Sequence, residues 1–200
     1  MTALDFRHMP NRSRILVVSA TARELAAADG WRTLLCGVGP VEAAAATAAE
    51  LVRARPAVVL HMGIAGARRH CGVALASLVI GSHSQYCDLG VSAEWAPNTV
   101  VTAQGLIAAA QRALPAAAVM RIGTSARVGG TSACDVEAME GFGVLRAAQL
   151  AGIPAIEVRA ISNEIEEQDR ARWHFDAAFA AIAHVTPLLV RALRESIHGL

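Results

Sequence analysis

Short apolar, β-branched runs recur along this chain, and polar turns and alanine-rich segments separate them. Ile15-Leu-Val-Val-Ser19, Trp31 to Cys36, Ala57-Val-Val-Leu-His-Met62, Leu75 to Gly81, Val119 to Ile122 and Pro154 to Ile161 read as strands, with a further one near Val100. Runs this short with β-branched residues suit buried strands. Thr21 to Ala28, Val41 to Arg53, Leu106 to Leu114, Val136 to Ala151 and Arg170 to Glu195 read as helices. Pro40 suits a first helical turn, Pro56, Pro115 and Gly152 mark ends, and Pro187 is expected to kink or restart the last helix. This alternation predicts an α/β fold around a largely parallel sheet. Residues 1–12 read as a loose leader, Gly123 to Ser132 as a Gly/Ser/Thr-rich loop, and residues 1–200 as one domain. Ligand sites in such folds sit where strands end and loops open, so the polar residues there are the ones to inspect.

Composition narrows the chemistry. All 18 basic residues are arginine. That removes Schiff-base, pyridoxal-phosphate, P-loop and kinase-type lysine mechanisms. The net charge is +1 with no basic run, which argues against nucleic acid as a partner. No run of eighteen apolar residues predicts a membrane span, and the first fourteen residues lack a signal-peptide core. Cys36, Cys71, Cys87 and Cys134 form no CxxC pair and read as reduced, mostly buried thiols of a cytoplasmic protein. Charged residues are only 18%, while alanine fills 43 positions, which is compatible with surface buried against a second copy.

Several motifs are excluded by their spacing. Gly37-Val-Gly39 precedes a helix, but Glu42 occupies the place of the third glycine of a dinucleotide fingerprint, so a tight strand-to-helix turn is the better reading. The seven histidines form no metal-ligand cluster, and there is no Gly-x-Ser-x-Gly elbow. No metal or other cofactor is expected. Glu24 lies just past the first strand, where a lone acid usually caps a helix. Glu140 sits within a predicted helix, facing either solvent or a cleft. Asn163 directly follows the strand ending at Ile161, where capping a loop is its ordinary role.

Their order carries more than each alone. Ala20-Thr-Ala-Arg-Glu24, Cys36-Gly-Val-Gly-Pro40, Met62-Gly-Ile-Ala-Gly66, Cys87-Asp-Leu-Gly90, Val136-Glu-Ala-Met-Glu-Gly141 and Arg159-Ala-Ile-Ser-Asn163 follow one another. This set resembles the purine nucleoside phosphorylase and nucleosidase superfamily, over roughly residues 13–195. The superfamily includes the methylthioadenosine/S-adenosylhomocysteine nucleosidases and the futalosine hydrolases. The resemblance implies a three-layer α/β sandwich whose central mixed sheet is partly curled into a barrel, with helices on both sides. It also implies cleavage of a purine N-glycosidic bond in a homodimer or larger homo-oligomer.

By that resemblance, Met139 and Glu140 hold the ribose, and Glu24 positions and deprotonates the attacking water. Ile64, Ala65, Gly66 and Val136 border the base. Asn163 stands where adenine-specific members carry Asp. An amide offers one acceptor and two donors, which fits a 6-oxopurine such as hypoxanthine and fits adenine poorly. The phosphorylase turn Gly-Asp-Pro-x-Arg is replaced by Ser19-Ala-Thr-Ala-Arg-Glu24, which favours water over phosphate. Together these features point to the futalosine hydrolase branch, whose reaction belongs to menaquinone biosynthesis. An adenine-specific nucleosidase, a purine nucleoside phosphorylase and a non-catalytic nucleoside binder are the alternatives. Gly141-Phe-Gly143 departs from the usual Gly-Ala-Ala. Arg127 replaces a small or apolar residue; it either faces solvent or reaches a substrate carboxylate, which futalosine carries.

Overall fold

The computed structural model describes residues 14–28, 30–129 and 134–198. The leader at 1–12 and Gly130, Thr131 and Ser132 of the predicted loop lie outside the described residues. The elements are β1 (Ile15–Ser19), β2 (Arg32–Leu35), α1 (Pro40–Arg53), β3 (Val58–Ala67), β4 (Leu78–Tyr86), β5 (Thr99–Val101), α2 (Gln104–Ala113), β6 (Ala118–Thr124), β7 (Val136–Ala138), α3 (Gly141–Leu150), β8 (Ala155–Glu164) and α4 (Phe175–His198).

The strands form one mixed sheet in the order β2-β1-β3-β7-β6-β4-β5. β8 pairs with both β3 and β4, so β3, β7, β6, β4 and β8 close into a ring. The β3–β7, β4–β5 and β4–β8 pairs are antiparallel, and the rest are parallel. The expected mixed, partly barrel-like sheet is therefore observed. A largely parallel sheet understates the antiparallel pairs, two of which close the ring.

Strand alternation sorts the core into two outer layers. In β1, Ile15 and Val17 pack with α2 and α4, while Leu16 and Val18 pack with α1 and α3. A third cluster, including Val79, Ile122, Val136 and Ile161, fills the ring. Gly143 explains part of the Gly-Phe-Gly departure. A Cβ there would stand 2.5 Å from the Pro40 carbonyl oxygen, so glycine is what lets α3 lie against the start of α1. Phe142 stacks on Tyr86, ring centroids 5.4 Å apart.

Four local expectations need correction. Thr21 to Ala28 is a run of tight turns, closed by bonds such as Glu24 N–H to Thr21 O and Ala28 N–H to Leu25 O, rather than a helix. Val136 to Ala151 is a strand, a two-residue corner and then a helix. The ring needs β7 as a rung, and tertiary pairing overrides local periodicity. β3 and β8 continue through their Gly- and Ser-containing ends, so Gly66 and Asn163 lie inside strands. α4 continues through Pro187, so the last helix does not restart there. By length and composition α4 could cross a membrane, but Ile182, Val185, Leu189 and Leu193 are buried in the core.

Candidate active site

A cavity of about 530 Å³ opens where β1, β3, β7 and β8 deliver their C-terminal residues. Glu24, Ile64, Ala65, Gly66, Arg127, Met139, Glu140 and Asn163 all line it, so residues spread over the whole sequence meet there. Val136 does not. It is fully buried in the ring cluster against residues such as Ile122 and Ile161, and its neighbours Glu137 and Ala138 line the cavity instead.

Glu24 is held by the turns after β1. Its Oε2 accepts from the Thr21 backbone N–H and hydroxyl, both at 2.9 Å, and Oε1 accepts from the Ile64 N–H at 3.1 Å. These bonds fix the carboxylate at the cavity wall without help from a long flexible stem. Gly63 makes the approach possible: a Cβ there would overlap the Arg159 guanidinium and stand 2.8 Å from Glu24 Oε1.

Glu140 forms the corner between β7 and α3, at the N-cap of α3. Its Oε1 accepts from the Gly39 N–H at 3.2 Å, and its Oε2 faces Arg159 Nη2 at 3.5 Å. Burial raises its pKa above the usual carboxylate value, against the opposing pull of Arg159 and the Gly39 bond. A carboxylate in this setting is a strong acceptor for hydroxyl hydrogens.

Arg159, on β8, is fully buried beneath both acids. Its Nε donates to Glu157 Oε1 at 2.8 Å, and its Nη2 donates to His61 Nε2 at 2.5 Å. His61 Nδ1 in turn donates to the Val18 carbonyl at 3.0 Å. The ring is thus neutral, with its proton on Nδ1. Burial and the Arg159 charge keep its pKa well below the ordinary histidine value. Burial works against the Arg159 charge, but Glu157, Glu140 and Glu24 outweigh it and hold its pKa above the usual value. Burial also pushes the nearby Cys36 thiol up to about 12, so it stays protonated and unreactive.

At the other end, Asn163 is oriented by its neighbours. Ser162 Oγ donates to Asn163 Oδ1 at 2.8 Å, and Asn163 Nδ2 donates to the Glu164 carbonyl at 2.9 Å. An amide has two N–H groups and two oxygen lone pairs, so one of each remains for a ligand. Gly66 leaves room for it, since a Cβ there would sit 3.0 Å from Nδ2.

The outer wall is aromatic and cationic. Trp173, Phe175 and Phe179 line it, with centroids 5.4 Å and 6.3 Å apart in sequence. Arg170 lies over Trp173 at 5.7 Å. Arg23 pairs with Asp176 and covers Phe179 at 4.3 Å, tying this wall to the turns that carry Glu24. Arg172 pairs with Glu167 and Asp169, whereas Arg170 and Arg127 line the cavity with no acidic partner among the described residues. Asp88 accepts from Ser125 Oγ and the Ala126 N–H, so it shapes the loop that carries Arg127.

Sequence reasoning missed His61, Glu157 and Arg159 as a unit, and the aromatic wall. Charges at Glu157 and Arg159 inside an apolar strand share one face by the two-residue period, which was the available signal. Among the described residues no group of three or more His, Cys, Asp or Glu could hold a metal ion.

No family model matches the chain. S-adenosylhomocysteine nucleosidase from Streptococcus pyogenes superposes with a TM-score of 0.78 at 20% identity, over 92% of this chain and 97% of that one. Futalosine hydrolase from Helicobacter pylori, a mutant form, gives a TM-score of 0.74 at 15% identity, over 94% of this chain and 100% of that one. At these identities both show the fold. Futalosine hydrolase from Streptomyces coelicolor is 37% identical over 200 aligned positions, covering 84% of this chain and 81% of the relative. Identity of that level, sustained across four-fifths of both chains, reaches beyond shared fold: the chain belongs to the futalosine hydrolase family and is an N-glycosyl hydrolase.

Proposed function

We propose that the protein hydrolyses futalosine to hypoxanthine and dehypoxanthine futalosine, with water as the nucleophile. The observation that carries this reading is Asn163, a buried neutral amide on the cavity wall whose bonds to Ser162 and Glu164 leave one N–H and one lone pair for a ligand. The N–H donates to the 6-oxo group. The oxygen accepts from N7–H once N7 has taken a proton from solvent water, while the C1'–N9 electron pair leaves with the base. Adenine presents a 6-amino donor where this site offers its own N–H, so a buried mismatch rejects it.

Glu140 accepts the ribose hydroxyl hydrogens, and Met139 packs on the sugar. Glu24 takes a proton from water as it attacks the anomeric carbon of an oxocarbenium-like sugar. Both carboxylates favour the developing positive charge on the ribose. Arg159 keeps the two acids from repelling one another. Arg23 is engaged by Asp176 and Phe179, which argues against a phosphate clamp next to Glu24. The carboxylate-bearing arm of the substrate lies along Trp173, Phe175 and Phe179, with Arg170 and Arg127 reading the carboxylate. A cytoplasmic role in menaquinone biosynthesis belongs to the same reading. So does a homodimer or larger homo-oligomer, supported by the exposed apolar Val38 at the cavity and Val41 in the first turn of α1.

The test is product release from futalosine, inosine and methylthioadenosine in parallel, with and without phosphate. Hypoxanthine from futalosine at a rate independent of phosphate is expected. Adenine from methylthioadenosine at a comparable rate would overturn the assignment to Asn163.

A further inference from the structure

Buried at the back of the site, Arg159 faces three carboxylates with unequal grips. Nε to Glu157 Oε1 spans 2.8 Å, while Nη2 to Glu140 Oε2 spans 3.5 Å. Arginine stays charged in proteins, so its buried charge must be matched. The short contact shows that Glu157, rather than Glu140, is the main match. Glu157 lies outside the cavity lining.

A second observation concerns the other oxygen. Glu157 is fully buried, and its Oε2 has no hydrogen-bond partner among the described residues. It lies against Gly141, the first residue of α3, where any Cβ would overlap the carboxylate. The positive end of the α3 dipole favours a negative charge there. The fold thus keeps a buried acid beside a glycine that makes room for it, at the cost of one unsatisfied oxygen.

We propose that Glu157 is a positioning residue that carries the counter-charge of Arg159, so that the ribose-holding Glu140 keeps its carboxylate available for substrate hydroxyls. Glu157 takes the Nε edge of the guanidinium and turns the Nη2 edge toward His61 and Glu140. His61, with its proton fixed on Nδ1, presents a lone pair to Nη2 and stops Arg159 from swinging onto Glu140. Arg159 therefore steadies Glu140 at long range instead of occupying it. The inference rests on Glu140 as the ribose carboxylate and is indifferent to which purine nucleoside is cleaved.

The test compares Glu157→Gln, Glu157→Asp and Gly141→Ala with the wild type, on whichever of futalosine, inosine or methylthioadenosine the wild type cleaves. Besides Glu157, the charged or titratable groups facing Arg159 and Glu140 are Glu24 from the turns after β1, Cys36 past β2 and His61 on β3. In Glu157→Gln the Arg159 charge falls on Glu140. KM is expected to rise about tenfold or more, with a smaller change in kcat. The acid limb of kcat/KM moves to lower pH, because Glu140 then protonates less readily. Affinity for free hypoxanthine, which meets Asn163 and not Glu140, stays within about twofold. Glu157→Asp keeps the charge and recovers part of the loss. Gly141→Ala, which displaces the carboxylate without removing it, shifts KM in the same direction and serves if the Gln variant does not fold. An unchanged KM and acid limb in folded Glu157→Gln, with or without a lower Tm, would overturn the proposal. So would equal losses for nucleoside and free base. A wild type that cleaves only methylthioadenosine would overturn the substrate reading and leave this comparison intact.

Discussion

The two ends of the cavity are built by different means. The inner end places Glu24 on the bonded turns after β1, Arg159 inside β8 and Glu140 at a helix cap, and each is held by backbone N–H groups or buried partners. The outer end places Arg127 on a loop and Arg170 on a single short 3-10 turn, both exposed, with Trp173, Phe175 and Phe179 as a broad wall. Bond cleavage requires atoms fixed to a fraction of an ångström, and rigid elements supply that. Recognition of a substituent tolerates more play, and loops supply it. Chemistry and selectivity should therefore fail separately when each end is altered.

The largest effect is expected from Glu24→Gln, which keeps the Ile64 contact and removes the base. Turnover should fall by about 10²–10⁴, the usual contribution of a general base, while substrate affinity is largely kept. Single-turnover kinetics with a binding titration checks this, and a parallel loss of affinity would blur the inner end's assignment to chemistry.

Asn163→Asp comes next. It exchanges the amide for a group able to serve adenine, so hypoxanthine release should fall about a hundredfold while adenine release rises. Competition between futalosine and methylthioadenosine reads the ratio directly.

Glu140→Gln should raise KM by about 10–100-fold, the value of a charge-assisted hydrogen bond. Burial raises the Glu140 pKa, and only the ionised form accepts both hydroxyls. Nucleoside affinity should therefore weaken as pH falls through that raised value, a dependence absent in the Gln variant. A pH series of KM for both proteins tests it.

The smallest effect is expected at the outer end. Arg170→Gln should raise KM for futalosine by about tenfold and leave inosine, which lacks the acid, within about twofold. Equal losses on both would join Arg170 to the inner end and erase the division between the two regions.

The sequence allowed the inner end to be read in outline. Glu24, Met139, Glu140 and Asn163 stand in short segments whose order is distinctive, and the cavity gathers all four. What supports them was less legible. Thr21 to Ala28 has helical composition, yet its backbone turns so that Thr21 can bond Glu24. Val136 to Glu140 looks continuous with the helix after it, because pairing with β3 and β6 is a long-range fact that no local window contains. Val136, which the resemblance sets at the base, has its side chain in the ring interior instead. The outer wall was hidden because Trp173, Phe175 and Phe179 have the spacing of ordinary core residues.

The contact between Gly141 and Glu157 bears on how such a chain can drift. With the acid present, a side chain at position 141 enters only by displacing the carboxylate, since even a methyl group would meet it. Once the acid is replaced by something shorter, that conflict is lifted, and an alanine at 141 would then hinder the acid's return to its place. The two positions are thus bound to an order of change, a ratchet that turns more easily one way than the other. Sequence libraries varying both sites should recover Gly with Glu, and larger residues at 141 only where 157 has lost its carboxylate.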